Sequence, residues 1–198
     1  MLSLREYRNK ADRLSDFLPW AALVAPGIVL NKDGSFQRSF RFRGPDLESA
    51  TDAELVGLGA RANNALKRLG SGWALFFEAE RRESQAYSDS VFPDAASWLV
   101  DGERQAAFEA AGTHFESRYH LTLTWLPPAD ATDRAGRSLV ERLDGEDRRD
   151  WRGALEGFVA ETNRVLDLLC GFMPQVRPLD DSETLTFLHD AISDRRHR

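Results

Sequence analysis

His114, Glu116 and His120 are of the types that hold zinc, and a metal there would bring a Lewis acid or an activated water. The set lacks a fourth ligand, because no cysteine and no second acidic cluster accompany it. His114 falls near the end of an expected helix and His120 on the polar face of an expected strand, so no metal site is expected. Phosphate chemistry would need G-x-x-x-x-G-K-[ST], whose glycines let backbone N–H groups cradle phosphates while the lysine pairs with them. The only lysines are Lys10, Lys32 and Lys67, and none follows a glycine and precedes Ser or Thr. Gly57-Leu58-Gly59 and Gly70-Ser71-Gly72 lie inside or just after a helical pattern and open no helix after a strand, which argues against nucleotide binding. Cys170 is the single cysteine. It cannot close an intramolecular disulfide, which suits a reducing compartment. Beside an apolar stripe and without a partner His and acid, it reads as a core thiol and not as a nucleophile. His189 and His197 complete no constellation, and Asp180-Asp181 reads as a helix start.

Two further patterns concern binding. Arg38, Arg41 and Arg43 interleave with Phe36, Phe40 and Phe42, as in single-strand binders. Strand alternation with Phe inward and Arg outward explains the same spacing more simply, with Arg38 the one departure. The chain carries 26 basic and 32 acidic residues, a net charge of -6, which disfavours a phosphate-neutralising surface. Direct nucleic-acid binding is therefore not expected. In the second pattern, Pro19-Trp20-Ala21-Ala22 precedes an apolar run, and a Trp beside an exposed first strand fits an interface anchor. Pro19, Trp20, Leu23, Val24 and Ile28 are the expected partner-binding residues, against the alternative that residues 23–30 are ordinary core.

The elements that must position these residues begin with a hairpin. Residues 23–30 are apolar and rich in β-branched side chains, and Asn31-Lys32-Asp33-Gly34 supplies a reversal. Phe36, Phe40 and Phe42 then recur at even positions, the period of a strand with one buried face. Thr51 and Glu54 form a capping box, after which Leu55, Leu58, Ala62, Ala65, Leu66 and Leu69 share a helix face that Gly70 is placed to stop. Residues 73–80 are apolar on both faces, which predicts a central strand. Residues 95–100 and 103–115 are helix-compatible on either side of Asp101-Gly102, and residues 119–125 alternate as a half-exposed strand ended by Pro127-Pro128. Residues 129–150 lack periodicity and are expected to be a mobile excursion. From Trp151 an apolar stripe runs over about five turns to Leu169. Val176 and Leu179 suggest a short edge strand, and Asp180 to Glu183 a second capping box.

Strands separated by helices predict an α+β fold with a mixed or antiparallel sheet of about four to five strands, starting with a β-hairpin, with helices packed on it. A length of 198 residues favours one domain over residues 1–198. Acidic charge at Glu6, Asp12 and Asp16 argues against a signal peptide. The apolar run from residue 17 to 30 is too short, and too interrupted by Pro19, Pro26 and Gly27, to span a bilayer.

Three segments carry a resemblance: residues 18–47 (LPWAALVAPGIVLNKDGSFQRSFRFRGPDL), 62–81 (ANNALKRLGSGWALFFEAER) and 114–128 (HFESRYHLTLTWLPP). Together they resemble the start of the TrbE-type conjugal-transfer ATPases, the largest ATPases of type IV secretion systems, in patches from residue 18 to 193. None of the three is a catalytic motif. The resemblance implies an N-terminal assembly domain truncated before a C-terminal P-loop ATPase domain. This portion would do no catalysis and hold no cofactor, with ATP and magnesium belonging to the full-length parent. It further implies a place at the cytoplasmic face of the bacterial inner membrane, a small TrbD-like membrane subunit as partner, and a hexameric parent. The alternatives are a small-ligand or enzymatic module built on His120, Thr122 and Thr124, or a weak single-strand binder using the arginines.

Overall fold

The computed structural model describes residues 13–84, 87–128 and 145–193. Residues 129–144, most of the stretch expected to be a mobile excursion, lie outside these. In chain order the elements are α1 (Leu14–Phe17), β1 (Trp20–Ala25), β2 (Ile28–Asn31), β3 (Phe36–Arg43), α2 (Asp52–Leu66), β4 (Trp73–Ser84), α3 (Ala95–Ala111), β5 (His114–Trp125), α4 (Gly145–Cys170), β6 (Gln175–Pro178) and α5 (Asp181–Asp190). The strands form one six-stranded sheet of order β1-β2-β3-β5-β4, with β6 paired to β3, and every ladder is antiparallel. The fold is α+β, as the alternation of strands and helices predicts.

The apolar run at residues 23–30 is two strands. Pro26-Gly27 turns it back on itself, so that Ala25 pairs with Ile28, and Pro followed by a positive-φ Gly (φ 66°) is the pattern of a type II turn. The turn at Lys32 to Gly34 then opens the second hairpin, with Leu30 opposite Phe36. Beyond β2, the same edge of β3 is taken up by β6, with Phe42 opposite Val176.

One face of the sheet carries the core. Phe36 and Phe40 from β3, Leu121 and Leu123 from β5, and Ile28 and Leu30 from β2 are all at most 2% exposed. Helix α4 lays Phe158, Val165 and Leu169 across them, and α2 adds Ala65. Trp73 joins the two halves of this core by stacking on Trp125 at 5.9 Å and on Phe158 at 5.5 Å. Arg38, the departure from the Phe pattern, shares this face and reaches α4, donating to Thr162 Oγ1 (2.9 Å) and Asn163 Oδ1 (2.7 Å).

Several expectations are corrected. Strand β4 is at the end of the sheet and not at its centre, and Phe76 and Phe77 are 60% and 61% exposed. Trp73 and Leu75 at its start pack on the core, and the rest of its apolar surface is exposed. Helix α3 runs through Asp101-Gly102 without a break, and His114 and Phe115 belong to β5. The mid-helix Gly102 costs about 1 kcal/mol, too little to split a helix of 17 residues. Helix α2 ends at Leu66, capped by Lys67, and not at Gly70; the positive-φ glycine nearby is Gly72, whose carbonyl accepts from Leu126 N at 2.8 Å. Helix α4 begins at Gly145, inside the stretch expected to be a mobile excursion. Cys170 is exposed and outside the core. The polar face of β5 is covered at His120 and Thr122, which are 8% and 7% exposed, because α5 packs there with Phe187 against the His120 ring at 4.8 Å.

Candidate partner interface

Strand β1 ends the sheet opposite β4, so among the described residues its outer edge pairs with no other strand. Its N-terminal end is fixed by Lys32, whose backbone N–H donates to Pro19 O at 2.7 Å while its ammonium donates to Ser15 O at 2.5 Å. The second bond ties α1 to the turn that follows β2, and α1 displays Leu14 and Phe17, which are 62% and 70% exposed. Pro19 is exposed and Trp20 half-buried next to them. Leu14, Phe17, Pro19 and Trp20 therefore lie close together in the chain, at the end of a free strand edge, a combination that suits strand addition or anchoring by an aromatic side chain.

The five expected partner residues separate by burial. Ile28 is 2% exposed and packs in the core with Leu30, Phe36 and Phe158, so it presents nothing to a partner. Val24 is half-buried against that same cluster. Pro19, Trp20 and Leu23 keep accessible surface. Leu14 and Phe17 join them; their signal in the sequence was two apolar residues on a four-residue helix too short to bury them.

Two other apolar surfaces stand apart. One is Phe76 and Phe77 on the outer strand β4. The other is α3, where Trp98, Leu99 and Val100 are 67%, 61% and 53% exposed and no residue is buried. Helix α3 is held to the segment before it through Tyr87, whose hydroxyl donates to Asp101 Oδ1 at 2.7 Å and whose ring meets Phe108, and to β5 through Phe108 stacked on His114 at 3.6 Å.

The residues weighed for chemistry are placed as follows. His114 Nε2 contacts Phe108 O at 2.6 Å, and among the described residues no group of His, Cys, Asp and Glu is arranged to hold a metal ion. Thr122 is hydrogen-bonded to Ser39 (2.8 Å) beneath α5, which removes it from any open face. Asp180 caps α5, accepting from Glu183 N at 2.8 Å. Arg177 grips Glu183 with both guanidinium nitrogens, and this pair holds the Glu183 carboxyl down to about 2. No helix among the described residues is long and apolar enough to cross a membrane.

Residues 27–133, from the β1–β2 turn through β5 and somewhat beyond, match the family described as type IV secretion system ATPase VirB4/TrbE, N-terminal domain. The chain belongs to the VirB4/TrbE N-terminal domain family. It is 44% identical over 187 residues to the conjugal transfer protein TrbE of Rhizobium radiobacter, an alignment covering 93% of this chain and 23% of that protein. It is also 40% identical over 130 residues to the first portion of a probable conjugal transfer protein TrbE of Sinorhizobium fredii (strain NBRC 101917 / NGR234), covering 64% of this chain and 87% of that one. The chain thus spans about a quarter of the Rhizobium TrbE. The VirB4/TrbE match begins at residue 27, so β1 and α1, which carry most of the candidate interface, precede it.

Proposed function

We propose that this VirB4/TrbE domain is the assembly module of a conjugal-transfer ATPase, docking the motor onto the inner-membrane portion of a type IV secretion system and doing no chemistry itself. The observation that carries this reading is the free β1 edge, with Leu14, Phe17, Pro19 and Trp20 grouped at its end. The partner is a small inner-membrane subunit of the TrbD type. Its contact would hold the domain at the cytoplasmic face of the membrane, while ATP, magnesium and hexamer formation belong to the rest of the parent ATPase.

The test is co-purification of the domain with a TrbD-like membrane peptide. Trp20→Ala should weaken capture about tenfold or more, the effect of removing an aromatic anchor, and Leu23→Asp, which puts a charge on the same strand, should weaken it too. Ile28→Val should leave capture unchanged, since that side chain is sealed inside. Undiminished capture by the folded Trp20→Ala protein would move the interface elsewhere, and nucleotide hydrolysis by the isolated domain would overturn the reading as a whole.

A further inference from the structure

Strand β5 outlasts one of its neighbours. Its ladder with β3 ends where Phe42 pairs with Tyr119, whereas its ladder with β4 continues to His114. On the β3 side, then, the edge of β5 over residues 114–118 pairs with no strand among the described residues. Successive residues of an antiparallel strand direct their N–H and C=O groups to opposite sides, so alternate residues of this stretch offer a donor and an acceptor to whatever lies alongside. Proteins commonly blunt such an edge with bulges or prolines. Here the ladder reaches its end without a register shift, and residues 114–118 include no proline.

Alongside the edge lies a groove of about 960 Å3, walled by the end of β3, the turn after α4, and β6. Both odd and even residues of β5 from Phe115 to Tyr119 line it, which places it along the edge of the strand and not against one face. Its two sides differ in chemistry. On the core side stand Phe42, Phe115, Tyr119 and Met173, with Phe115 and Tyr119 54% and 38% exposed. On the other side are Arg41, Arg43, Arg118 and Arg177, against Glu116 as the one carboxylate lining the groove. Arg177 is committed to Glu183, and Arg118 is opposite Glu80 across the β4–β5 ladder. Arg41 and Arg43 are opposite Arg177 and Gln175 on β6 and have no carboxylate across from them, which leaves this side with positive charge in excess of Glu116.

We propose that the β5 edge at residues 114–118 receives an extended segment of a partner protein as an added strand, with side chains alternately apolar and acidic. Strand addition pairs the open backbone groups. The two-residue period of the added strand sets its apolar side chains on Phe115 and Tyr119 and its carboxylates toward Arg41 and Arg43. A single nucleic-acid strand uses rings and arginines of this kind, but it brings no row of amide donors and acceptors to meet the edge. The groove lies on the far side of β3 from β1, and its role does not rest on docking at β1.

The probe is an acetylated and amidated heptapeptide of alternating valine and glutamate, added to the 198-residue chain at constant ionic strength. Two readouts report on the groove: amide hydrogen exchange along β5, and the alkylation rate of Cys170, the single cysteine, which is exposed and lines the groove. The peptide should protect amides within residues 114–118 and slow Cys170 alkylation, both saturating at the same concentration. Methylating the valine nitrogens or the glutamate nitrogens should abolish binding in one case and spare it in the other, because only alternate N–H groups face β5. Phe115→Asp, at an exposed ring, should weaken binding about tenfold and Arg43→Glu about threefold, whereas Phe76→Thr on β4 should leave it unchanged. The proposal is overturned by no saturable protection up to millimolar peptide, by protection confined to residues 20–25 or 73–84, or by equal binding of a peptide with lysine in place of glutamate. Indifference to methylation in both cases, or tighter binding of oligothymidylate than of the peptide, would also overturn it. The wild-type measurements decide even if a variant fails to fold.

Discussion

Gly27 concentrates the most constraint in one residue. Its φ of 66° belongs to the left-handed region, a Cβ there would stand 2.2 Å from the Leu179 carbonyl oxygen, and its N–H donates to Asp181 Oδ1 at 2.7 Å. The β1–β2 turn is thereby pressed against the start of α5. Gly27→Ala meets a backbone atom that cannot move aside, so strain and displacement together should destabilise the fold by about 2–4 kcal/mol, read by urea unfolding. Glu183, in the same region, gives a pH-dependent signal. Its folded-state carboxyl lies at about 2, depressed first by the Arg177 hydrogen bond. Its stabilisation is therefore fully present above the unfolded value near 4.5 and is lost as pH falls toward 2. The pair is a third to a half exposed, so solvent screening holds it to about 1 kcal/mol or less. Glu183→Gln should be less stable than the parent by about that amount at pH 7, with the gap closing between pH 4.5 and 2; a gap that persists at the acid end would assign the effect to the cap geometry instead.

Among the elements, α4 and β4 are opposites in what burial does for them. Phe158 on α4 is fully buried and stacks on Trp73, Trp125 and Phe36 at 5.5–6.5 Å. Phe158→Ala should cost about 3–5 kcal/mol and abolish much of the near-ultraviolet circular dichroism of the packed tryptophans. Phe76→Thr on β4 should change stability by no more than about 0.5 kcal/mol, while raising solubility by taking an exposed ring off a free sheet edge. Equal costs for the two would contradict the strand order. The same contrast marks what the sequence discloses. The α4 stripe and both capping boxes are local patterns and can be read directly, as can the inward phenylalanines of β3. The edge position of β4 is not local: a strand apolar on both faces reads as central unless its partners are known. The Pro26-Gly27 turn is visible in the sequence but hidden inside a continuous apolar run. The candidate interface is half legible, since Trp20 signals itself whereas the burial of Ile28 depends on α4, far along the chain. The open edge of β5 before Tyr119 exists only once the register of β3 on β5 is set.

For the molecule as a whole, the sheet and its packed helices form one body, and α3 is an appendage on the far end of the β4–β5 hairpin. The hairpin itself does not need α3. Its ladder is unbroken from Trp73 opposite Trp125 to Ser84 opposite His114, so residues 84 and 114 face each other directly. Two residues in a type I′ turn join such a pair. Because α3 contributes no buried residue to the core, replacing residues 85–113 by Asn-Gly should preserve cooperative unfolding, with Tm lowered by no more than about 3 °C, corresponding to about 1 kcal/mol for a domain of this size. Loss of cooperativity would mean that the helix supports the sheet after all. The shortened chain also separates two of the places a partner could grip. Its β1 edge is intact while Trp98, Leu99 and Val100 are gone, so a TrbD-like peptide that docks at β1 should still be captured in full. Capture that disappears with α3, in a variant that remains folded, would transfer the docking role from the first strand of the sheet to the appendage, where three large apolar side chains already stand in water.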